Sequence, residues 1–199
     1  MVVYLPMISQ ASLQNTNMPE ISLHILDLVQ NSISAQAKHI RILLFSSVEL
    51  DEMSVEIEDD GKGMSEDFLA QVESPFTTTR VTRKVGLGIP LLKLGCEQTG
   101  GTFRIESQLG IGTKLKGTYV MSHLDRPPLG DFCGTIHTLI VSNPDLDFYV
   151  EMCGSGEKVV LDTKTIREQI GDIPLNYPDI SMWIKEYLEE GFVESGVKN

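Results

Sequence analysis

The segment Glu58-Asp59-Asp60-Gly61-Lys62-Gly63-Met64 contains a carboxylate whose position suggests ligand binding. Met53, Val55, Ile57 and Asp59 alternate with other residues, so in a β-strand their side chains point to one apolar face. A carboxylate on such a face needs hydrogen-bond donors, and a ligand amino group would supply them. A second interpretation stays open at this point, in which the strand ends at Ile57 and Asp59 begins a solvated turn.

Two glycine pairs suggest places where the backbone passes close to a ligand. Gly61 and Gly63 follow Asp59, and Gly86-Leu87-Gly88 precedes a predicted helix. Backbone amides at the start of a helix bind phosphate, but glycine pairs also simply turn the chain. The sequence has neither Gly-x-x-x-x-Gly-Lys-Ser/Thr nor Gly-x-Gly-x-x-Gly, so it predicts neither a P-loop nor a dinucleotide-binding fold.

A polar stripe of His24, Asp27, Asn31 and Ser34 follows one face of the first predicted helix. Asp27 and Asn31 are one turn apart and therefore adjacent on that face. An asparagine amide oxygen is a suitable Mg²⁺ ligand, and a nearby carboxylate can orient or deprotonate a water molecule. Taken alone, such a polar stripe favours the other interpretation, an ordinary solvated helix face.

The elements that must position these groups follow from periodicity and turn residues. Before residue 125 we predict helices over 19–37, 65–72 and 89–99, and strands over 39–46, 53–58, 102–107 and 113–121. The composition changes at Arg126-Pro127-Pro128. Beyond it we predict strands over 135–141, 148–153 and 158–161, and helices over 163–170 and 179–190. In the last helix, Trp183 and Tyr187 share a face that we expect to be core.

The composition limits the classes of function. The chain has 199 residues and a net charge of −12, which argues against non-specific nucleic-acid binding. Apolar runs are far shorter than the roughly 20 residues of a membrane span, and no signal peptide is visible, so we expect a cytoplasmic protein that does not enter a membrane. Cys96, Cys133 and Cys153 fit no metal motif, and we expect reduced thiols.

Five sequence blocks between residues 20 and 122 occur in a fixed order, and together they resemble the GHKL superfamily. This superfamily includes DNA gyrase, a heat-shock chaperone, sensor histidine kinases and mismatch-repair MutL proteins. The blocks are Asp27–Ala35, Asp59–Met64, Pro75–Arg80, Val85–Ile89 and Gly110–Thr113. The resemblance implies an α+β protein with the two-layer α/β sandwich of the Bergerat fold. Residues 1–18 would be a loose tail, 19–124 the ATP-binding domain and 125–199 a small C-terminal α/β extension.

The same resemblance implies a role for individual residues. Asn31 would ligand Mg²⁺, and Asp59 would accept a hydrogen bond from the adenine amino group while Thr113 supports the same edge of the base. Arg80 and Lys84 would make the lid over the phosphates basic. The implied ATP-binding residues are Asn31, Ala35, Asp59, Gly61, Gly63, Met64, Thr79, Arg80, Lys84, Gly86, Leu87, Gly88 and Thr113.

Two departures from the family pattern bear on catalysis. Members that hydrolyse ATP usually have glutamate as the general base four residues before the asparagine, and here that position is Asp27. Lys84 replaces the first glycine of the usual lid motif. The Pro75–Arg80 run is most similar to sensor histidine kinases, but no dimerisation helix with a phosphoacceptor histidine is visible, since His24 lies in the site helix and His123 and His137 lie near or in predicted strands.

Several functions therefore stay open. The chain is expected to be a stand-alone regulatory kinase, similar to anti-sigma serine kinases, or a slow ATPase, in either case acting on an unidentified protein partner. The alternative is a non-catalytic ATP-dependent switch or interaction protein. The Asp145–Glu157 stretch resembles small ATP-binding proteins that accompany hydrogenase subunits, which connects this alternative to a hydrogenase complex. The sequence does not determine the oligomeric state.

Overall fold

The computed structural model describes residues 20–73 and 88–199, so the predicted tail and most of the predicted lid lie outside the described residues. The helices are α1 (Ile21–Ser34), α2 (Glu66–Glu73), α3 (Gly88–Gln98), α4 (Phe132–Ser142), α5 (Thr163–Ile170) and α6 (Pro178–Ser195). The strands are β1 (His39–Ser47), β2 (Glu52–Asp59), β3 (Phe103–Gln108), β4 (Gly112–Val120), β5 (Asp147–Cys153) and β6 (Val159–Asp162).

The strands form one mixed sheet in the order β3-β4-β2-β1-β5-β6. The β1–β2 hairpin is antiparallel and pairs Ile42 with Ile57. On the other side of β2, the antiparallel strand β4 pairs Thr113 with Asp59. β5 runs parallel to β1, and the edge strand β6 is antiparallel to β5.

Helices cover one face of this sheet, because alternate strand residues are apolar and buried. In β1 these are Ile40, Ile42 and Leu44, and in β2 they are Met53, Val55 and Ile57. The helix layer contacts the sheet along its whole width, with α3 against β3 and β4, α1 against β2, and α6 against β5 and β6. The α+β class and the two-layer sandwich predicted from the sequence are confirmed.

The segment after residue 125 enlarges both layers. β5 and β6 extend the sheet, α4 packs beside α1, and α6 packs beside α4. The C-terminal end also lies on the core, since Asn199 Oδ1 accepts the Leu129 amide at 2.8 Å and Ser46 Oγ accepts the Lys198 amide at 3.0 Å. No break in the sheet marks the predicted division near residue 125, which as a division into units stays a prediction.

The prediction of a strand over 135–141 is wrong, because these residues lie in α4. The buried side chains of this helix recur at helical spacing, at Phe132, Ile136, Leu139 and Ile140. Asp131 caps the helix by accepting the Gly134 amide at 2.8 Å. The β-branched and aromatic content of the segment favours a strand, but burial against α1 and α6 requires the period of 3.6 residues.

The prediction that Trp183 belongs to the core is also wrong. The side chain is 46% exposed, and its ring stacks on Tyr187 with the centroids 5.2 Å apart. Tyr187 is partly buried and donates its hydroxyl to the Val160 carbonyl at 2.9 Å. The i, i+4 spacing placed both rings on one face, but the buried face of α6 is the one with Ile184 and Leu188.

No helix in the described ranges 20–73 and 88–199 is both long enough and apolar enough to cross a bilayer.

Candidate functional site

Asp59 is the last residue of β2, and its carboxylate faces α1. Ser32 Oγ donates to Asp59 Oδ2 at 2.6 Å, and the Gly61 amide donates to Oδ1 at 2.9 Å. The strand therefore continues past Ile57, and the interpretation of Asp59 as part of a solvated turn is wrong. An ionised carboxylate has about four acceptor positions, so two described donors leave capacity for a further donor.

The wall beside Asp59 is built from backbone that tolerates little side-chain volume. A Cβ at Gly61 would lie 2.9 Å from Asp59 Oδ1 and 3.0 Å from both Ala35 Cβ and Ala35 O. The Ala35 carbonyl also accepts the Lys62 amide at 2.9 Å, which joins the end of α1 to the turn. Ala35 and Gly61 thus form a close-packed edge beside Asp59.

Gly63 has a left-handed conformation, with φ of +63°, and a Cβ there would overlap the Gln108 carbonyl. Only glycine fits both requirements without strain. This close approach places the 61–64 turn directly against the β3–β4 connection, where the Gly110 amide also donates to the Lys62 carbonyl at 2.8 Å.

Ser107 connects the remaining predicted residues of this wall. Its hydroxyl accepts the Met64 amide at 2.9 Å and lies 2.9 Å from both the Thr113 hydroxyl and the Gly112 carbonyl. Thr113 shares its strand face with the buried residues Leu115 and Tyr119, as predicted. Met64 is partly buried and packs against the core.

Sequence reasoning missed Ser32 and Ser107. Ser32 follows the predicted Mg²⁺ ligand Asn31 in the sequence, but its contact with Asp59 spans 27 residues. Ser107 shares its strand face with Ile105, and this alternation was a usable signal that a hydroxyl points inward.

The polar stripe of α1 spans very different environments. His24 is buried and Asn31 is partly buried, while Asp27 is exposed. Burial lowers the pKa of His24, against the opposing effect of the Asp27 charge. The amide nitrogen Nδ2 of Asn31 is buried without a hydrogen-bond partner among the described residues.

The start of α3 lies directly against Asp27. A Cβ added at Gly88 would be 3.0 Å from Asp27 Cβ and 3.8 Å from Asp27 Oδ2. The structure thus brings together the α1 carboxylate, the neighbouring Asn31 and the amide end of a helix. The predicted lid residues Thr79, Arg80, Lys84, Gly86 and Leu87 lie outside the described residues.

Asp60 points to the opposite face of the sheet. Its Oδ1 accepts the amides of Lys38 at 2.6 Å and His39 at 2.8 Å, and its Oδ2 lies 2.7 Å from His39 Nδ1. Partial burial would raise the pKa of this carboxyl, but the amides of His39 and Lys38 and the His39 ring together hold it below its ordinary value.

A hollow of about 650 Å³ lies on this same open face, between side chains that include Arg41, Glu58, Lys114 and Tyr149. It reaches Asp59 and Thr113 only at the strand ends. Several of its charges are paired, with Lys114 2.7 Å from Glu56 and 3.4 Å from Glu58. The arrangement with spare donor and acceptor capacity is instead the α1 face, with Asp59 and Asn31.

The fold and the α1 face define a two-layer α/β protein with a carboxylate at the strand end, beside a glycine turn and a helical asparagine. Residues 19–127, more than half of the chain, match the family model described as "Histidine kinase-, DNA gyrase B-, and HSP90-like ATPase". The chain belongs to this family, which indicates that it contains an ATP-binding domain of the histidine kinase-like type.

Three relatives are similar to this chain over part of its length. Sensor histidine kinase ZraS of Escherichia coli (strain K12) is 31% identical over 106 residues, covering 50% of this chain and 23% of ZraS. Sensor kinase CckA of Brucella abortus (strain 2308) is 38% identical over 69 residues, 34% of this chain and 7% of CckA. Sporulation kinase C of Bacillus subtilis (strain 168) is 26% identical over 88 residues, 44% of this chain and 20% of the kinase. The chain thus spans less than a quarter of the length of these three relatives.

Two solved structures are partly similar to the structure of this chain. The N-terminal domain of a DNA repair protein has a TM-score of 0.49 and 16% identity, covering 72% of this chain and 52% of that one. The Aquifex aeolicus MutL ATPase domain complexed with ADP has a TM-score of 0.48 and 10% identity, covering 89% of this chain and 97% of that one.

Proposed function

We propose that this chain binds Mg·ATP between α1, the end of β2 and the start of β4, and acts as a stand-alone regulatory kinase or slow ATPase on a protein partner. The single observation that carries the proposal is the Asp59 carboxylate, held by Ser32 and the Gly61 amide on the helix-covered face. In a member of the histidine kinase-like ATPase family, this arrangement suits a group that reads adenine.

Asp59 accepts a hydrogen bond from the adenine amino group in this proposal. The Ser107 and Thr113 hydroxyls, 2.9 Å apart, lie beside it at the start of β4 and complete the polar edge. The remaining wall is formed by two glycines that allow close approach, Gly61 and Gly63, and by two residues for apolar contact, Ala35 and Met64. Adenine is favoured over guanine, because guanine has a carbonyl oxygen where adenine has its amino group and the carboxylate repels it.

Asn31 would hold Mg²⁺ through its amide oxygen. The fit is supported by the buried Asn31 Nδ2, which has no partner among the described residues and thus belongs to a side chain not committed to the core. A bound Mg²⁺ would neutralise phosphate charge and orient the phosphates. The Gly88 amide at the start of α3 would face the phosphates, and we assign Thr79, Arg80, Lys84, Gly86 and Leu87 to the lid from the sequence alone.

Asp27 is the proposed general base for water or for a partner's hydroxyl. The side chain is exposed and adjacent to Gly88, which places it beside the proposed phosphate end of the site. Aspartate is one methylene shorter than the glutamate usual in hydrolysing members, so its carboxylate reaches less far. We therefore expect slow turnover.

The same substitution favours a second candidate function. If Asp27 does not reach the attacking water, the chain binds ATP without turnover and acts as a switch or interaction protein, and a hydrogenase complex is the proposed setting.

Both functions need a protein partner and place the chain in the cytoplasm. Neither uses nucleic acid or a membrane, and the net charge of −12 agrees with the first exclusion.

Incubation with γ-labelled ATP and Mg²⁺, alone and with fractionated cell proteins, separates these functions. Label on a second protein identifies a kinase, and released phosphate identifies an ATPase. Saturable ATP binding without either product identifies a switch.

Asp27→Ala should remove the turnover while leaving ATP affinity within about threefold, since this carboxylate acts on the reacting group. Gln30→Ala, an exposed change on the same helix, is the matched control. Absence of ATP binding in calorimetry contradicts the proposal.

A further inference from the structure

The residue after Asp59 is tied to the start of β1 by an unusually complete set of contacts. The Asp60 carboxylate accepts two backbone amides, from Lys38 and His39, and contacts the His39 ring at 2.7 Å. The Asp60 amide in turn donates to the His39 carbonyl at 3.3 Å. Residue 60 is therefore fixed by both its backbone and its side chain to one dipeptide.

The contacts continue from His39 into the C-terminal segment. His39 Nε2 lies 3.0 Å from Asp147 Oδ2 at the start of β5. The other oxygen of Asp147 is bound by Arg167 of α5. Arg167 also donates to the Pro144 carbonyl, through Nε at 3.2 Å and Nη2 at 3.0 Å, and to the Leu146 carbonyl. Arg167, Asp147, His39 and Asp60 thus form a continuous chain of polar side-chain contacts, which we call the β5–β2 relay.

We infer that His39 and Asp147 are positioning residues for adenine recognition, and that the β5–β2 relay makes nucleotide affinity depend on the segment after residue 125. This inference rests on the proposed function, because it assigns the relay an effect on the adenine-reading group Asp59. The described contacts give the relay a direct route to that group.

The route runs through the turn that follows Asp59. Gly61, whose amide donates to Asp59 Oδ1, is joined by one peptide bond to Asp60. If the His39 ring contact is lost, Asp60 keeps its backbone hydrogen bonds but its Oδ2 is no longer held, so the 59–61 turn can shift and move the Gly61 amide off the line of the Asp59 carboxylate. Close packing limits the other side of the turn, because a Cβ at Gly112 would overlap the Asp59 carbonyl. A small displacement at residue 60 is therefore transmitted to the carboxylate rather than absorbed.

The relay also differs from an ordinary surface ion pair. Isolated exposed pairs contribute little, and the His39 side chain is 62% exposed. Asp147 is less exposed, at 23%, and Arg167 at 27%, and both are held by several partners. Networks in which each member has more than one partner show measurable coupling between their members.

The test compares ATP and GTP affinities by calorimetry for the full chain and for His39→Gln, Asp147→Asn and the double variant. Each single change should raise the Kd for ATP about three- to tenfold and reduce the preference for ATP over GTP. The double variant should be little worse than the weaker-binding single variant, because both changes interrupt the same chain of contacts.

Glu151→Gln is the matched control. Glu151 lies on the same strand and the same open face as Asp147 and is paired with Arg41 at 3.9 Å and Lys158 at 3.7 Å, but it does not contact the relay. The control should lower the melting temperature no more than Asp147→Asn does, with ATP affinity and the ATP preference unchanged.

If the relay only stabilises the fold, its variants will have lower melting temperatures but the same ATP preference as Glu151→Gln. This result would overturn the inference. Wild-type protein that binds ATP, together with loss of binding in Asp59→Asn, would in that case leave the proposed function standing. Wild-type protein that binds no ATP overturns the proposed function and the inference with it.

Discussion

The two faces of the sheet at the end of β2 use the same side chain in opposite ways. Asp59 faces α1 and meets two donors, one hydroxyl and one amide. Its neighbour Asp60 faces the open side, where two amides and an imidazole surround it. The comparison shows that acceptor capacity, rather than residue type, separates a carboxylate suited to a ligand from one that fixes the backbone.

The surroundings of the two carboxylates follow from the pleat of β2. Successive residues of a strand point to opposite faces, so one aspartate has to meet the helix layer and the other the open face. The helix layer supplies the Ser32 hydroxyl as a donor to Asp59, whereas the open face supplies the His39 ring as a partner of Asp60 and, through His39, a contact with Asp147. The following changes break or sharpen this contrast.

Asp59→Asn should have the largest effect. The amide group that replaces one carboxylate oxygen presents hydrogens to the adenine amino group, so the Kd for ATP should rise about a hundredfold or more. Isothermal titration calorimetry measures this. Glu58→Gln, which neutralises the preceding carboxylate on the open face, should bind ATP normally. Unchanged affinity in Asp59→Asn refutes the pocket assignment.

Gly63→Ala tests the close approach of the 61–64 turn to Gln108, next to Asp59. Its φ of +63° and the overlap of a Cβ with the Gln108 carbonyl should lower the free energy of unfolding by about 3 kcal/mol or more. Gly110→Ala is the matched control, because φ is +80° but an added Cβ would have no atom within 4 Å apart from residue 110 and its chain neighbours, so only the backbone strain of about 1–2 kcal/mol applies. Urea denaturation of both variants measures the difference, and equal losses would show that the close approach is absent.

Acid should reduce the contribution of Asp60 to the stability of the fold, and this effect should be smaller than that of Gly63→Ala. The folded-state pKa of Asp60 is below its ordinary value, so the stability it contributes is present above the unfolded pKa of about 4 and is lost as the pH falls through the folded value. The side chain is 43% exposed, so solvent screening keeps the effect modest. The difference in unfolding free energy between wild type and Asp60→Asn should shrink between about pH 5 and pH 2. A difference that stays constant or grows in acid contradicts this assignment.

Local sequence patterns determined the Asp59 side of the site well. The alternation of Met53, Val55, Ile57 and Asp59 fixed the direction of the carboxylate, because a strand has a period of two whatever surrounds it. The positive φ of Gly63 likewise agrees with a glycine at that position, because other residues are strained there. Most helices and strands of the described ranges were predicted within a few residues for the same reason.

The sequence left undecided every feature that depends on which distant segments meet. Ser32 meets Asp59 across 27 residues, and Asp147 meets His39 only because β5 adds to β1 in parallel. α4 was mistaken for a strand, because its propensities and its burial favour different structures and packing decided between them. Periodicity assigns a side chain to one face of its own element, whereas the neighbour across that face is set by sheet order and helix packing, which only the tertiary structure decided.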